Sequence, residues 1–143
     1  MSDYTVIIEV LLQQPPNINE ITRPKAFFQF KIGDEVLGKL IFELASDVVP
    51  RTVENFMRIL NKETAIKRGY KGTKIHYIQS GHAMMGGDIE KNDGSFSHSS
   101  FAKRYFEDEN FIIPHSGRGL LRYWTYFTTL LSKSVVLQAY KTK

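Results

Sequence analysis

The side chains of this chain that could do chemistry are its histidines, one run of acids and one lysine-rich stretch. The histidines are His76, His82, His98 and His115. Their spacing matches no metal-ligand signature. There are no cysteines, which excludes disulfides, thiolate zinc sites and thiol nucleophiles, and no metal or cofactor is expected. Glu107-Asp108-Glu109 sets carboxylates side by side, and paired carboxylates can do acid–base work. Gly117-Arg118-Gly119 resembles a fragment of a phosphate-binding loop but lacks the further glycine, the lysine and the helix start. Lys62, Lys67, Arg68, Lys71 and Lys74 read as a solvated loop, with a weak site for acidic peptide or RNA as the sharper alternative.

The elements that must position these groups belong to one domain of 143 residues. A hydrophobic fraction of 42%, with ten Phe and seven Tyr, is that of a globular chain. Nineteen basic and 15 acidic side chains leave a net charge of +4, mild enough that there is no strong nucleic-acid signal. No apolar run reaches the length of a membrane span. Met1 to Leu12 lacks a basic leader and is interrupted by Glu9, so no secretory signal is expected. The expected location is the cytoplasm, or the nucleus.

Residues 1–25 form an extension in which Val6 to Leu12 is β-prone and Pro15-Pro16 stops it. Phe28 to Ile32 alternates apolar and polar as a half-buried strand does. Gly33-Asp34-Glu35 turns the chain, and Leu37 to Leu44 returns with Leu40, Phe42 and Leu44 on one face. Pro50 opens a helix whose apolar face is Val53, Phe56 and Leu60. Ile75 to Ile78 is a strand, Gly86-Gly87-Asp88 and Asn92-Asp93-Gly94 are turns, and Ser95 to Ser100 is a surface loop. Residues 122–143, with Tyr123-Trp124-Thr125-Tyr126-Phe127 and Val135-Val136-Leu137, fit strand or helix by periodicity alone.

Residues 26–121 resemble the cyclophilins. The strings that carry the resemblance stand in the family's order: Leu37 to Leu44, Asp47 to Phe56, Gly69 to His76, Gly86-Gly87-Asp88-Ile89, Phe106 to Phe111 and His115 to Leu121. The resemblance implies a mainly β fold with helix, an antiparallel β-barrel whose groove binds proline-containing peptides and isomerises the X–Pro bond. It also makes Glu107-Asp108-Glu109 part of a framework segment. The uncatalysed barrier is about 18–20 kcal/mol, because amide resonance must be broken. In the family an arginine on the active-site strand supplies a pre-placed cationic donor, and a pocket of Phe, Met and Leu holds the proline ring.

Carried over residue by residue, the histidine beside the catalytic position is His76 and the catalytic arginine is replaced by Tyr77. The pocket phenylalanine becomes His82, the pocket methionine Ala83, and the substrate-binding glutamine Met85. The Gly86-Gly87-Asp88 turn is kept. After Leu121 the family's remaining motifs have no counterpart, and Trp124 stands in the wrong context for its ligand-contacting tryptophan. A barrel incomplete or rearranged at the C-terminus follows, with the tail or the N-terminal extension patching an open edge. The expected activity is weak or absent peptidyl-prolyl isomerisation. The alternatives are a non-catalytic protein-binding module and a truncated, unstable isoform.

Overall fold

The computed structural model describes residues 4–9, 23–96, 98–114, 119–125 and 132–138. In chain order the elements are β1 (Tyr4–Glu9), β2 (Lys25–Ile32), β3 (Glu35–Glu43), α1 (Pro50–Leu60), β4 (Ile75–Gln79), β5 (Ala83–Gly86), β6 (Leu120–Thr125) and β7 (Ser132–Gln138). The described residues fold as antiparallel β with one helix, as expected. Among the described residues the strands form two sheets rather than one closed barrel, in the orders β1-β2-β3 and β4-β5-β7-β6. Both suggested patches are present. β1, from the N-terminal extension, pairs along β2, and β7, from the tail, lies between β5 and β6. The described parts of the ambiguous C-terminal run, residues 122–125 and 132–138, are therefore strand, because Thr, Tyr and Val fit a pleated surface.

Alternation along β3 decides what it buries, while β2 buries Ala26, Phe27 and Phe28 in succession. Phe28 is 1% exposed, with Phe42 5.1 Å and Phe56 6.0 Å away between ring centroids. Leu40, Phe42 and Leu44 do share the inward side of β3, while Leu37 and Ile41 face out. The helix adds Val53, Phe56, Ile59 and Leu60 to this core, the face read from its sequence with Ile59 included. From the second sheet come Ile75, with Met84, Leu121 and Tyr123 packed against the cluster.

The helix has Pro50 at its start, where a missing N–H costs nothing, but no capping side chain of its own. The cap comes from far along the sequence. Glu109 accepts from the Arg51 N–H at 3.1 Å, the Thr52 N–H at 2.9 Å and the Thr52 hydroxyl at 3.0 Å. The neighbouring Asn110 amide donates to the Val48 carbonyl at 2.8 Å. Glu109, the last acid of the run, is thus a clamp on the helix start. Burial raises the Glu109 pKa, but the three donors outweigh it and hold the carboxyl below the ordinary glutamate range. Its contribution is complete above the unfolded-chain value and is lost as pH falls through the folded value. Glu109→Gln should lower stability by about 1 kcal/mol at neutral pH. The gap to wild type should close in urea titrations below pH ~4.3.

Ser95 to Ser100 departs from the surface loop expected. Ser99 is buried and donates to the Lys103 carbonyl at 2.5 Å, and the Ser100 N–H donates to the Asn55 side-chain oxygen at 2.7 Å. Asn55, buried on the helix, donates in turn to the Tyr123 hydroxyl at 2.8 Å. A buried amide must find partners, and these join α1, the loop and β6. Burial pushes the Tyr123 phenol well above its ordinary value, so it stays a neutral partner.

Candidate functional site

The strand expected over Ile75 to Ile78 is the first arm of a hairpin whose second arm is β5. β4 and β5 pair through Tyr77↔Met85, Ile78↔Met84 and Gln79↔Ala83, with a bulge between Ile75 and Tyr77. The turn at residues 80–82 is closed by the His82 N–H donating to the Gln79 carbonyl at 3.0 Å. Gly81, with φ of 73°, supplies the left-handed residue that such a turn needs.

Period-two alternation sorts the candidate residues. Met84 points to the core, so Tyr77, Gln79, Ala83 and Met85 occupy the opposite face. Tyr77 and Met85 are direct cross-strand partners; Tyr77 is 44% exposed and Met85 half-buried. Ala83 is buried, opposite Gln79. His82 is not with them; it is exposed in the turn. His76 is the bulged residue and also stands apart, with its ring against Gly94. A Cβ on Gly94 would come within 2.5 Å of that ring, and φ there is 84°, so glycine is required on both counts.

The loop that seats His76 is organised by Asp88. Its side chain is 0% exposed and accepts backbone N–H groups from Glu90, Lys91 and Gly94 at 3.0 Å, Asp93 at 3.3 Å and Phe96 at 3.4 Å. An ionised carboxyl is acceptor-only with room for about four donors, so this one is saturated by the loop it folds. The turn read as Gly86-Gly87-Asp88 therefore leads into a carboxyl-centred hub, and sequence reading missed it because the donors carry no side-chain signature.

Electrostatics at the face are weak. The only proton of the Tyr77 hydroxyl goes to the Gln79 side-chain oxygen at 3.2 Å. Burial lowers the His76 pKa, and the charges of Asp88 and Asp93 only partly offset that. Its imidazole is thus neutral near pH 7. Register places Arg122 in the same row as Tyr77, through Met85 and the position of Val136. The row spans three strand spacings, about 14 Å of sheet, which is beyond an arginine's reach. Gln79 is the residue that sequence reading passed over here; its position two residues from Tyr77 was the available signal. His98 is half-buried, not an exposed loop residue, and His115, Arg118 and Tyr126 onward to Leu131 lie outside the described residues. Among the described residues no group of three or more His, Asp or Glu could hold a metal ion, and no helix is long and apolar enough to cross a membrane.

The sequence model described as cyclophilin type peptidyl-prolyl cis-trans isomerase/CLD matches residues 27–126. The chain belongs to this cyclophilin family. It is 40% identical over 106 residues to a protein named peptidyl-prolyl cis-trans isomerase H from Rhizopus delemar, an overlap covering 72% of this chain and 60% of that relative. The chain therefore spans less than two thirds of the curated relative it matches. The match to the family runs through β2 to β6, so the hairpin bearing Tyr77 and the Asp88 hub both fall inside the cyclophilin region.

Proposed function

We propose that this cyclophilin-type protein binds proline-containing peptide segments on the outward face of the β4–β5 hairpin and isomerises them weakly or not at all. Tyr77 and Met85 would form the contact surface, Ala83 its buried floor and His82 its edge, while His76 positions β4 through the Asp88 loop. The observation that carries this reading is the phenol that stands at position 77 where the family has a cation, with Gln79 in hydrogen-bond contact at 3.2 Å. As an X–Pro amide twists, electron density gathers on nitrogen and carbonyl oxygen, and an isomerase must meet it with a donor placed in advance. A single phenolic hydroxyl and a neutral imidazole bring no permanent cation to that point. A charge-assisted donor would bind the twisted amide about twice as strongly as a neutral one.

The core supports this as a folded binding module rather than an unstable fragment, since Phe28, Phe56 and Ile59 are fully enclosed and the helix is capped from across the molecule. The experiment is two-dimensional exchange NMR on a proline-switch peptide with the wild-type protein. The expected result is chemical-shift perturbation on β4 and β5 with exchange no more than about tenfold above the uncatalysed rate, since the missing cation alone removes two to three decades. Faster exchange would refute the loss of catalysis. An unperturbed hairpin at saturating peptide would refute the binding face.

A further inference from the structure

A second surface, built on the opposite chemistry, lies at the end of α1. Lys62, Lys67, Arg68 and Lys71 line a cleft of about 270 Å³ together with Gly69, Gly72, Thr73, Ile89, Asn92 and a single acid, Glu90. The local folding that produces it is specific. The helix ends in a Schellman motif: the Lys62 N–H donates to the Ile59 carbonyl at 3.0 Å and the Glu63 N–H to the Arg58 carbonyl at 2.7 Å. The left-handed residue of that motif is usually glycine, and here it is Lys62 with φ of 61°. Lys67, with φ of 54°, is a second lysine in the same unfavourable region. Strain of this kind persists only where surroundings over-determine it.

The surroundings do so. Buried Thr64 donates its hydroxyl to the Arg68 carbonyl at 2.8 Å and accepts the Arg68 N–H at 3.2 Å, while its carbonyl takes the Lys67 N–H at 3.0 Å. Buried Thr73 donates its hydroxyl to the Tyr70 carbonyl at 2.7 Å. Across the cleft, Arg68 Nη1 donates to the Glu90 carbonyl at 2.9 Å, and the Asn92 side chain accepts the Lys74 N–H at 3.0 Å. The walls are thus fixed from both sides. The cations are not neutralised by neighbours: among the described residues the ion pairs are Arg23 with Glu43 and Asp47, and Arg58 with Glu54, and none involves Lys62, Lys67 or Lys71.

We propose that this cleft binds the anionic side chains, carboxylate or phosphate, of a peptide segment in a partner protein. Several cations lining one open polar cleft raise the local concentration of anions and attract them over several ångströms. Nucleic acid fits less well. Single strands are held by stacking on exposed aromatic faces, and the one ring lining this loop, Tyr70, is buried with its face turned to Phe56 at 5.2 Å. The site is separate from the Tyr77 face and does not depend on what that face does.

The test is fluorescence anisotropy of a labelled oligoglutamate peptide, its phosphoserine counterpart and a single-stranded RNA oligonucleotide, with amide shifts followed on the wild-type protein. Saturable peptide binding that weakens with salt and moves Gly69, Gly72 and Thr73 is expected. Lys62→Asn/Lys67→Asn/Lys71→Gln should weaken it about tenfold, the sum of several exposed ion pairs; asparagine tolerates the left-handed backbone, so the fold is kept. The single variant Lys71→Gln, at an ordinary backbone position, should show a smaller loss in the same direction. Tighter binding of the phosphoserine peptide would assign the ligand as phosphate, and of oligoglutamate as carboxylate. Affinity unchanged in both variants, peptide binding that moves amides elsewhere, no saturable peptide binding, or RNA binding tighter than either peptide would overturn the proposal.

Discussion

Tyr77→Arg should raise the isomerisation rate about 10²–10³-fold over wild type in the exchange assay. The position has room for the longer side chain, being 44% exposed and on the face away from the core. A guanidinium brings a permanent charge and five donors, so one N–H can go to Gln79 while others remain for the substrate amide. The phenol has a single proton to donate. Tyr77→Phe makes the complementary case: it should leave the rate where wild type leaves it, because the hydroxyl contributes nothing to the twisted amide. If Tyr77→Arg folds as wild type does and exchange stays at background, the absent cation does not account for the low rate proposed for the wild type.

The largest stability effect should come from Asp88→Asn, a change of one oxygen to an amide nitrogen. Either orientation of the new side chain turns a donor toward backbone N–H groups that need an acceptor. A buried donor left without its partner costs about 1–3 kcal/mol, and several are affected. Relaxation of the exposed residues Asp93 and Gly94 toward water limits the total to about 3 kcal/mol. That is a large part of the ~5–15 kcal/mol typical of a folded domain. Urea unfolding would show it as a lower midpoint at unchanged slope. The same variant should loosen the seat of His76 on Gly94, visible as shifted imidazole resonances. A midpoint loss worth less than ~1 kcal/mol would mean that the loop holds its shape without the carboxylate.

The parts of this architecture that the sequence made legible are those whose signal is local. Pro50 with Val53, Phe56 and Leu60 at helical spacing specifies α1 and its buried face, and alternation in Phe28 to Ile32 specifies β2. The aromatic and β-branched run from Tyr123 satisfied two periods at once, so only pairing with β7 decides it. What stayed hidden is long-range. Nothing near Pro50 announces that its cap is Glu109, and nothing near Ser100 announces Asn55. Register is equally invisible: that Tyr77, Met85 and Arg122 share a row follows only once β7 is threaded between its neighbours. At the site itself, the family resemblance located the substitutions, but whether each side chain reaches the face depended on the bulge at His76 and the turn before Ala83, which separate two of the five candidates from the rest.

The placement of β7 between β5 and β6 sets an order on assembly. Met85 and its partner Val136 are about fifty residues apart, a separation that makes ring closure slow compared with the neighbouring hairpins. While a ribosome is still extending the chain, β2, β3 and α1 can collapse early, but β5 and β6 have no common neighbour until residues 132–138 have left the exit tunnel. During that interval the hairpin carrying Tyr77 presents a bare rim to any other extended polypeptide. Nascent chains stalled before β7 should accordingly be the ones that chaperones retain and proteases clip.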